Sequence, residues 1–353
     1  MIYFDTTKAA RSGHHSGIQR VSARLRAELA PLAGDRIVTV VWNREARGWC
    51  RPDASPVAPA AGDWVFTPEL FSEEERPGFS AWIAQPGCRT AAVYYDAIPL
   101  KCPHTTWPHS VARHPGYMKL LAGFERVLAI SEASRHELES YWAWGHMPRR
   151  AQLLTFPLGA DGSGRPRARN RELPAGVPSL LMVGILEPRK NQLLLLDAAE
   201  RLWAEGLDFA VHLVGRVNPH FGAPVERRVR ALAARCPALT YHGPLDDDAV
   251  AALAVQCRAA VFPSQAEGNG LPVIEALWSG LPCVCSGIPA LLEHAGGGGC
   301  LVLPLGDAAA WAAGLRELLT DERRIGELVR ATLNRPLPTW HDSAAAVFAA
   351  LRQ

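Results

Sequence analysis

No apolar run in this sequence is long enough to cross a bilayer: the longest aliphatic stretches, such as Leu193 to Leu196, fall far short of the roughly 20 residues required. Low-complexity tracts are also missing from the 353 residues, of which 48% are hydrophobic and 20% charged, so the chain is expected to be globular throughout. Charge of one sign is not in excess. A formal net charge of +2 lacks the basic footprint of a nucleic-acid-binding protein, and no nucleic acid partner is expected. The 8 cysteines form no CxxC pair, which argues against a zinc site and for reduced thiols in a cytosolic protein. The opening Met1-Ile2-Tyr3-Phe4-Asp5 has neither a basic n-region nor an apolar h-region, so no secretory signal is expected and the expected location is cytoplasmic.

What is present is alternation. Short aliphatic runs at Val38 to Trp42, Ala91 to Tyr95, Val127 to Ile130 and Leu153 to Phe156 read as buried strands. A second series follows at Leu180 to Ile185, Ala210 to Val214, Ala259 to Phe262, Cys283 to Cys285 and Leu301 to Leu303. Helical patterns lie between them, at Ile18 to Ala30, Glu132 to Trp142, Gln192 to Ala204, Val225 to Ala234, Ala249 to Val255 and Ala308 to Leu319. Such alternation predicts parallel sheets covered by helices on both faces. Residues 161–177, rich in Gly, Pro and Arg and without apolar period, read as a linker whose arginines are solvated. The expectation is therefore an α/β chain with two doubly wound, Rossmann-like domains, 1–160 and 178–337, facing across a cleft. The amphipathic tail 338–353 is expected to pack back on the first domain.

Two motifs carry chemistry. Ser264-Gln265-Ala266-Glu267-Gly268-Asn269-Gly270-Leu271-Pro272-Val273-Ile274-Glu275-Ala276 follows a strand, and Pro272 suits the first turn of a helix beginning near Leu271. Glycines before a helix start let a ligand approach the backbone, and the helix dipole favours a phosphate there. Glu267 would sit on the loop and Glu275 a turn into the helix, each able to accept two hydroxyl hydrogen bonds from a vicinal diol. A solvated loop glutamate and a dipole-complementing helix glutamate explain the same spacing equally well. The second motif, Gly184-Ile185-Leu186-Glu187-Pro188-Arg189-Lys190-Asn191, places adjacent cations beyond a strand, which suits a diphosphate. An ordinary surface turn is the other reading.

Together these motifs resemble the retaining glycosyltransferases of family 4, with the GT-B architecture. The resemblance extends to Ser16-Gly17-Ile18-Gln19-Arg20, Tyr95-Asp96-Ala97-Ile98-Pro99-Leu100 and Ala129-Ile130-Ser131-Glu132-Ala133-Ser134; the EPRKN run and the paired glutamates, seven residues between them, are its most specific parts. It implies that Arg189 and Lys190 hold the donor diphosphate, that Glu267 contacts the donor sugar and that Glu275 grips the ribose. It implies further that Gly184, Gly215, Asn269, Gly270 and Leu271 line the donor, with Gly17 leaving room at the opposite wall. Val214-Gly215-Arg216 and Gly243-Pro244-Leu245 would flank the base. His14, His15, Tyr95, Asp96 and Ser131 are candidates for the acceptor or sugar pocket. Neither a metal nor a cofactor is implied, only a nucleotide-sugar donor and a glycan or lipid-linked saccharide acceptor. Tyr95 stands where many relatives carry histidine, and Asn269 where many carry an aromatic residue, so the sugar is not fixed by the family.

Competing readings remain. A dinucleotide-dependent oxidoreductase needs GxGxxG after a strand, and neither Gly13-His14-His15-Ser16-Gly17 nor the lone Gly184 supplies it. A non-catalytic saccharide-binding relative would be expected to lose the phosphate or ribose contacts, yet Arg189, Lys190 and Glu275 remain. Asp246-Asp247-Asp248 precedes a helical stretch and reads as an N-cap rather than a metal motif. Trp142 and Trp144 read as packing. Arg113, Lys119 and Arg126, interleaved with Tyr117, Leu120, Leu121 and Phe124, fit either a basic helix touching anionic lipid at the inner membrane face or an ordinary surface helix.

Overall fold

The computed structural model describes residues 1–11, 17–162 and 164–352. Two compact units divide the chain. The first comprises Met1–Leu100, Pro108–Gly159 and Pro338–Gln353, the second Lys101–Trp107 and Ala160–Leu337.

The first unit holds seven strands: β1 (Ile2–Asp5), β2 (Ile37–Asn43), β3 (Gly48–Cys50), β4 (Trp64–Thr67), β5 (Arg89–Tyr94), β6 (Arg126–Ala129) and β7 (Gln152–Thr155). They form one sheet in the order β3-β2-β1-β4-β5-β6-β7, parallel except for β3 against β2. Its helices in the chain are α1 (Gly17–Ala33), α2 (Phe79–Ala84), α3 (Ile98–Lys101), α4 (Pro108–Leu121) and α5 (Glu132–Trp144). β4 and β6 are buried at every position, as strands covered on both faces must be. An aromatic cluster of Trp42, Trp49, Phe71, Phe79 and Phe124 fills one side, in edge-on and tilted pairs with centroids 5.1–6.3 Å apart. The last helix, α13 (Trp340–Arg352), packs on α1.

The second unit is a fully parallel six-stranded sheet: β8 (Ser179–Val183), β9 (Ala210–Val214), β10 (Leu239–Tyr241), β11 (Ala259–Phe262), β12 (Cys283–Ser286) and β13 (Cys300–Leu303), in the order β10-β9-β8-β11-β12-β13. The helices are α6 (Gln192–Ala204), α7 (Ala223–Ala233), α8 (Asp247–Gln256), α9 (Leu271–Trp278), α10 (Pro289–Ala295), α11 (Ala308–Thr320) and α12 (Glu322–Asn334). Side chains alternate between two cores. Leu180, Met182, Ala259, Val261 and Val284 join one; Leu181, Ala260, Phe262, Cys283 and Cys285 join the other. That period of two is what helices on both faces of a sheet require.

Three expectations are corrected. The arginines of 161–177 are solvated only in part: Arg165 and Arg169 are exposed, but Arg171 Nη2 donates to the carbonyls of Ala254, 2.9 Å away, and Cys257, at the end of α8. Arg167 does the same for Thr332, Leu333 and Arg335 at the end of α12, where orphan carbonyls and the helix dipole favour a cation. The basic helix over Arg113 to Arg126 does not form as such. Helix α4 ends at Leu121, Arg126 is buried in β6 beneath the Trp64 ring, and Arg113 pairs with Glu75 at 3.0 Å. Trp142 is buried and donates to Met118 O, but Trp144 is 79% exposed. Asp246 does cap α8, accepting from Ala249 N at 2.7 Å.

Candidate functional site

The order of the second sheet reverses direction between β8 and β11, and a doubly wound sheet leaves its binding crevice at such a point, beyond the carboxyl ends of the strands. The two motif loops meet there. Residues 187–191 follow β8 and residues 263–270 follow β11, and Gln265 N donates to Arg189 O at 2.8 Å to join them.

Side chains reinforce the joint. Lys190 Nζ lies 2.6 Å from Glu267 Oε1, and Arg189 Nη1 donates to Ala266 O at 2.7 Å and reaches Glu267 Oε2 at 3.3 Å. Glu267 is largely buried. Burial pushes its carboxyl up, but Lys190, then Arg189 and the Ser264 hydroxyl, more than offset this and hold it at about 2. The loop is thus an ionised carboxylate fixed between two cations, not a solvated turn. Sequence reasoning missed two partners. Glu187, also buried, accepts from Arg189 Nη2 at 2.6 Å and from Asn218 Nδ2 at 2.7 Å.

Beyond Glu267 the chain enters α9 through Gly270, whose φ of +93° only glycine adopts readily, with Pro272 in the first turn. Asn269 is buried, and its carbonyl is 2.7 Å from His294 Nε2. A carbonyl can only accept, so Nε2 carries the proton. Burial lowers the pKa of His294. Leu271 opens the helix, and Glu275 lies one turn in, half-buried. A Cβ on Gly162 would fall 2.4 Å from Glu275 Oε1, so the backbone of the 161–177 stretch passes against this carboxylate.

Gly184 and Gly215 have a structural reason of their own. Gly215 has φ +149°, and a Cβ there would fall 2.0 Å from Gly184 O. These glycines let the ends of β8 and β9 approach beside Lys190. Past β9 and β10, a cavity of about 400 Å³ is lined by Arg216, Val217, Glu226, Tyr241, Gly243 and Pro244, among others.

The remaining candidates belong to the first unit. Gly17 starts α1 at an exposed position. Tyr95 is buried, and its hydroxyl donates to Pro68 O at 2.5 Å, so the hydroxyl is committed to backbone. Asp96 accepts from Ile98 N at 3.0 Å, and Ser131 caps α5 by accepting from Ser134 N at 3.0 Å. His14 and His15 lie outside the described residues.

Residues 177–321 match the family model for glycosyl transferases group 1. Among curated proteins, the chain is 28% identical, over 83% of its length, to the serotype-specific mannosyltransferase WbdA of Escherichia coli, and spans 40% of that protein. It is 32% identical, over 57% of its length, to the MMP alpha-(1->4)-mannosyltransferase of Mycolicibacterium hassiacum, covering 47% of it. The chain thus spans half or less of either relative. Among solved structures, a sucrose-phosphate synthase from Thermosynechococcus elongatus aligns with a TM-score of 0.69 at 18% identity, covering 100% of this chain and 98% of that one. Anabaena HepE, solved with UDP and glucose, aligns with a TM-score of 0.69 at 14% identity over 99% of both chains. With its two Rossmann-like sheets the chain has the GT-B fold of these structures, and its second unit is similar to the group 1 glycosyltransferases.

Proposed function

We propose that the protein transfers a hexose-type residue, with retention of configuration, from a nucleoside diphosphate sugar to a growing surface glycan or lipid-linked saccharide. The observation that carries this reading is the Lys190–Glu267–Arg189 cluster at the sheet's reversal, directly before the N-terminus of α9. A nucleotide sugar brings two complementary groups to that cluster. Its diphosphate takes Lys190, Arg189 and the N-terminus of α9, while its sugar hydroxyls take Glu267. One internal ion pair is exchanged for charge-assisted bonds to the ligand. Glu275, a turn further on, accepts the ribose hydroxyls, and the cavity by Gly243 and Pro244 receives the base.

Chemistry then requires charge stabilisation on the departing phosphate more than a protein nucleophile. Lys190 and the helix N-terminus supply it from fixed positions, the arrangement that lowers a barrier most. These protein cations do the work a metal ion would do, so transfer proceeds with a chelator present. The mannosyltransferase names of the relatives favour GDP-mannose as donor, with a UDP-sugar next. Membrane contact through Arg113 to Arg126 is not part of the reading, because those side chains share no helix face.

The test is thermal stabilisation by UDP, GDP, ADP, CMP and NAD without metal, followed by transfer assays with the matching nucleotide sugars. A ligand at about 100 times its dissociation constant stabilises its binding state by about 2.7 kcal/mol. A selective shift with GDP or UDP supports the reading. A shift with NAD alone overturns it, and binding without transfer to any saccharide turns it into the non-catalytic alternative.

A further inference from the structure

We propose that Glu187 is the counter-charge of the phosphate site, a positioning residue that anchors Arg189 from behind and limits how tightly the nucleoside diphosphate product is held. This rests on the reading of Arg189 and Lys190 as the diphosphate cations.

Glu187 is 6% exposed, and both of its oxygens are engaged, one by Arg189 Nη2 and the other by Asn218 Nδ2. Asn218 is itself fixed. Its Oδ1 accepts the amides of His220 at 2.9 Å and Phe221 at 3.2 Å, and its own amide donates to Leu186 O at 3.0 Å. Leu186 bridges to Val217, which extends the β8–β9 pairing as far as the residue before Glu187. The carboxylate therefore has little room to move, and Arg189 is held between it and the Ala266–Glu267 loop.

Anchoring alone does not call for a charge. On its other side Arg189 is bonded to a neutral carbonyl, that of Ala266, and burying a carboxylate carries a desolvation cost that a neutral acceptor avoids. What Glu187 adds is a negative charge. With it, the two carboxylates balance Arg189 and Lys190. Without it, the cluster of Arg189, Lys190 and Glu267 carries a net positive charge facing a product with at least two negative ones. Such a site binds the product more tightly and releases it more slowly, and release is a common limit on turnover.

Glu187→Gln keeps the shape and removes the charge. For whichever of GDP and UDP the wild type binds, the variant's Kd is expected to fall about 3- to 10-fold, the effect of one unit charge a few ångströms away through a partly screened site. Its dependence on salt should steepen, while kcat and the donor KM both drop. Asn218→Ala changes no charge, and its Kd should stay within about 2-fold of wild type, the precision of a titration set against the charge effect. If Glu187→Gln does not fold, Glu187→Ser tests the same charge with a smaller side chain. An unchanged or weaker Kd in the neutral variant overturns the counter-charge, as does equal weakening in both variants, which marks Glu187 as a shaper of the loop only. A wild type that binds neither nucleotide overturns the reading of the site itself, a separate result.

Discussion

Removing the Lys190 ammonium should cost stability and binding together, and a second substitution should return only the stability. Lys190 Nζ and Glu267 Oε1 are 2.6 Å apart, with their side chains 13% and 12% exposed. At an effective dielectric of about 20, unit charges at that distance attract by about 6 kcal/mol, offset by the desolvation of both. A surface pair would contribute about 0–1 kcal/mol net, but removing one partner of a buried pair leaves the other charge stranded and costs about 3–5 kcal/mol. Arg189, at 3.3 Å from the same carboxylate, keeps Lys190→Met near the lower end of that range. Glu267→Gln should cost about 2 kcal/mol, and the double variant less than the two single losses combined by at least 1 kcal/mol. Urea unfolding of the four proteins measures this cycle. The pH profile is a second check. Because Glu267 is held at about 2, below its unfolded value, its contribution is present above pH 4.5 and lost as pH falls through 2. In Lys190→Met that acid-side loss should be shallower. Nucleotide affinity should fall in Lys190→Met and not return in the double variant. A cost under 1 kcal/mol for Lys190→Met, or simple additivity in the cycle, would refute the idea of a buried, coupled pair.

Three further outcomes follow from the same geometry. Glu275→Ala should weaken the bound nucleotide by about 1.5–3 kcal/mol, the loss of buried charge-assisted bonds, and calorimetry showing unchanged affinity would remove the ribose assignment. Gly215→Ala should destabilise by about 3 kcal/mol or more, since its Cβ would overlap Gly184 O at a φ few side chains adopt; a melting temperature equal to wild type would contradict this. Glu69, buried beside Asp5 and Arg76, is raised to about 7 by burial first and the Asp5 charge second, against the amides of Lys8 and Ala9 and the Arg76 cation. Its stabilising contribution is therefore complete below pH 4.5 and lost as pH rises through 7. Unfolding curves at pH 5 and pH 8 should show a Glu69-dependent difference of about 2 kcal/mol that Glu69→Gln removes.

How much of this was legible in the sequence depends on whether a feature is local. Strands such as Ala259 to Phe262 and Cys283 to Cys285 show in the sequence because both faces of each are buried, which leaves an apolar run flanked by helical periods. Strands β3 and β10 are three-residue edge strands, interrupted by Gly48 in one and the exposed Thr240 in the other, so neither carries a continuous apolar run. The cations at Arg189 and Lys190 were visible because adjacency in sequence is enough to suggest a diphosphate. How those charges are balanced was not visible, although Glu187 stands two residues before Arg189. Glu187 and Asn218 meet across 31 residues, and Glu267 meets Lys190 across 77, so only the folded sheet reveals that the cluster balances its charge internally. Tyr95 shows the same limit from the other side. Its position in a motif suggested a sugar contact, yet the fold commits its hydroxyl to Pro68 O, a partner that no spacing in the sequence identifies. A motif names the residue types that chemistry can use. Which of them keep a free hydrogen-bonding group or an unbalanced charge is decided by partners far away in the chain, and at this site those partners are Asn218 for Glu187 and Glu267 for Lys190.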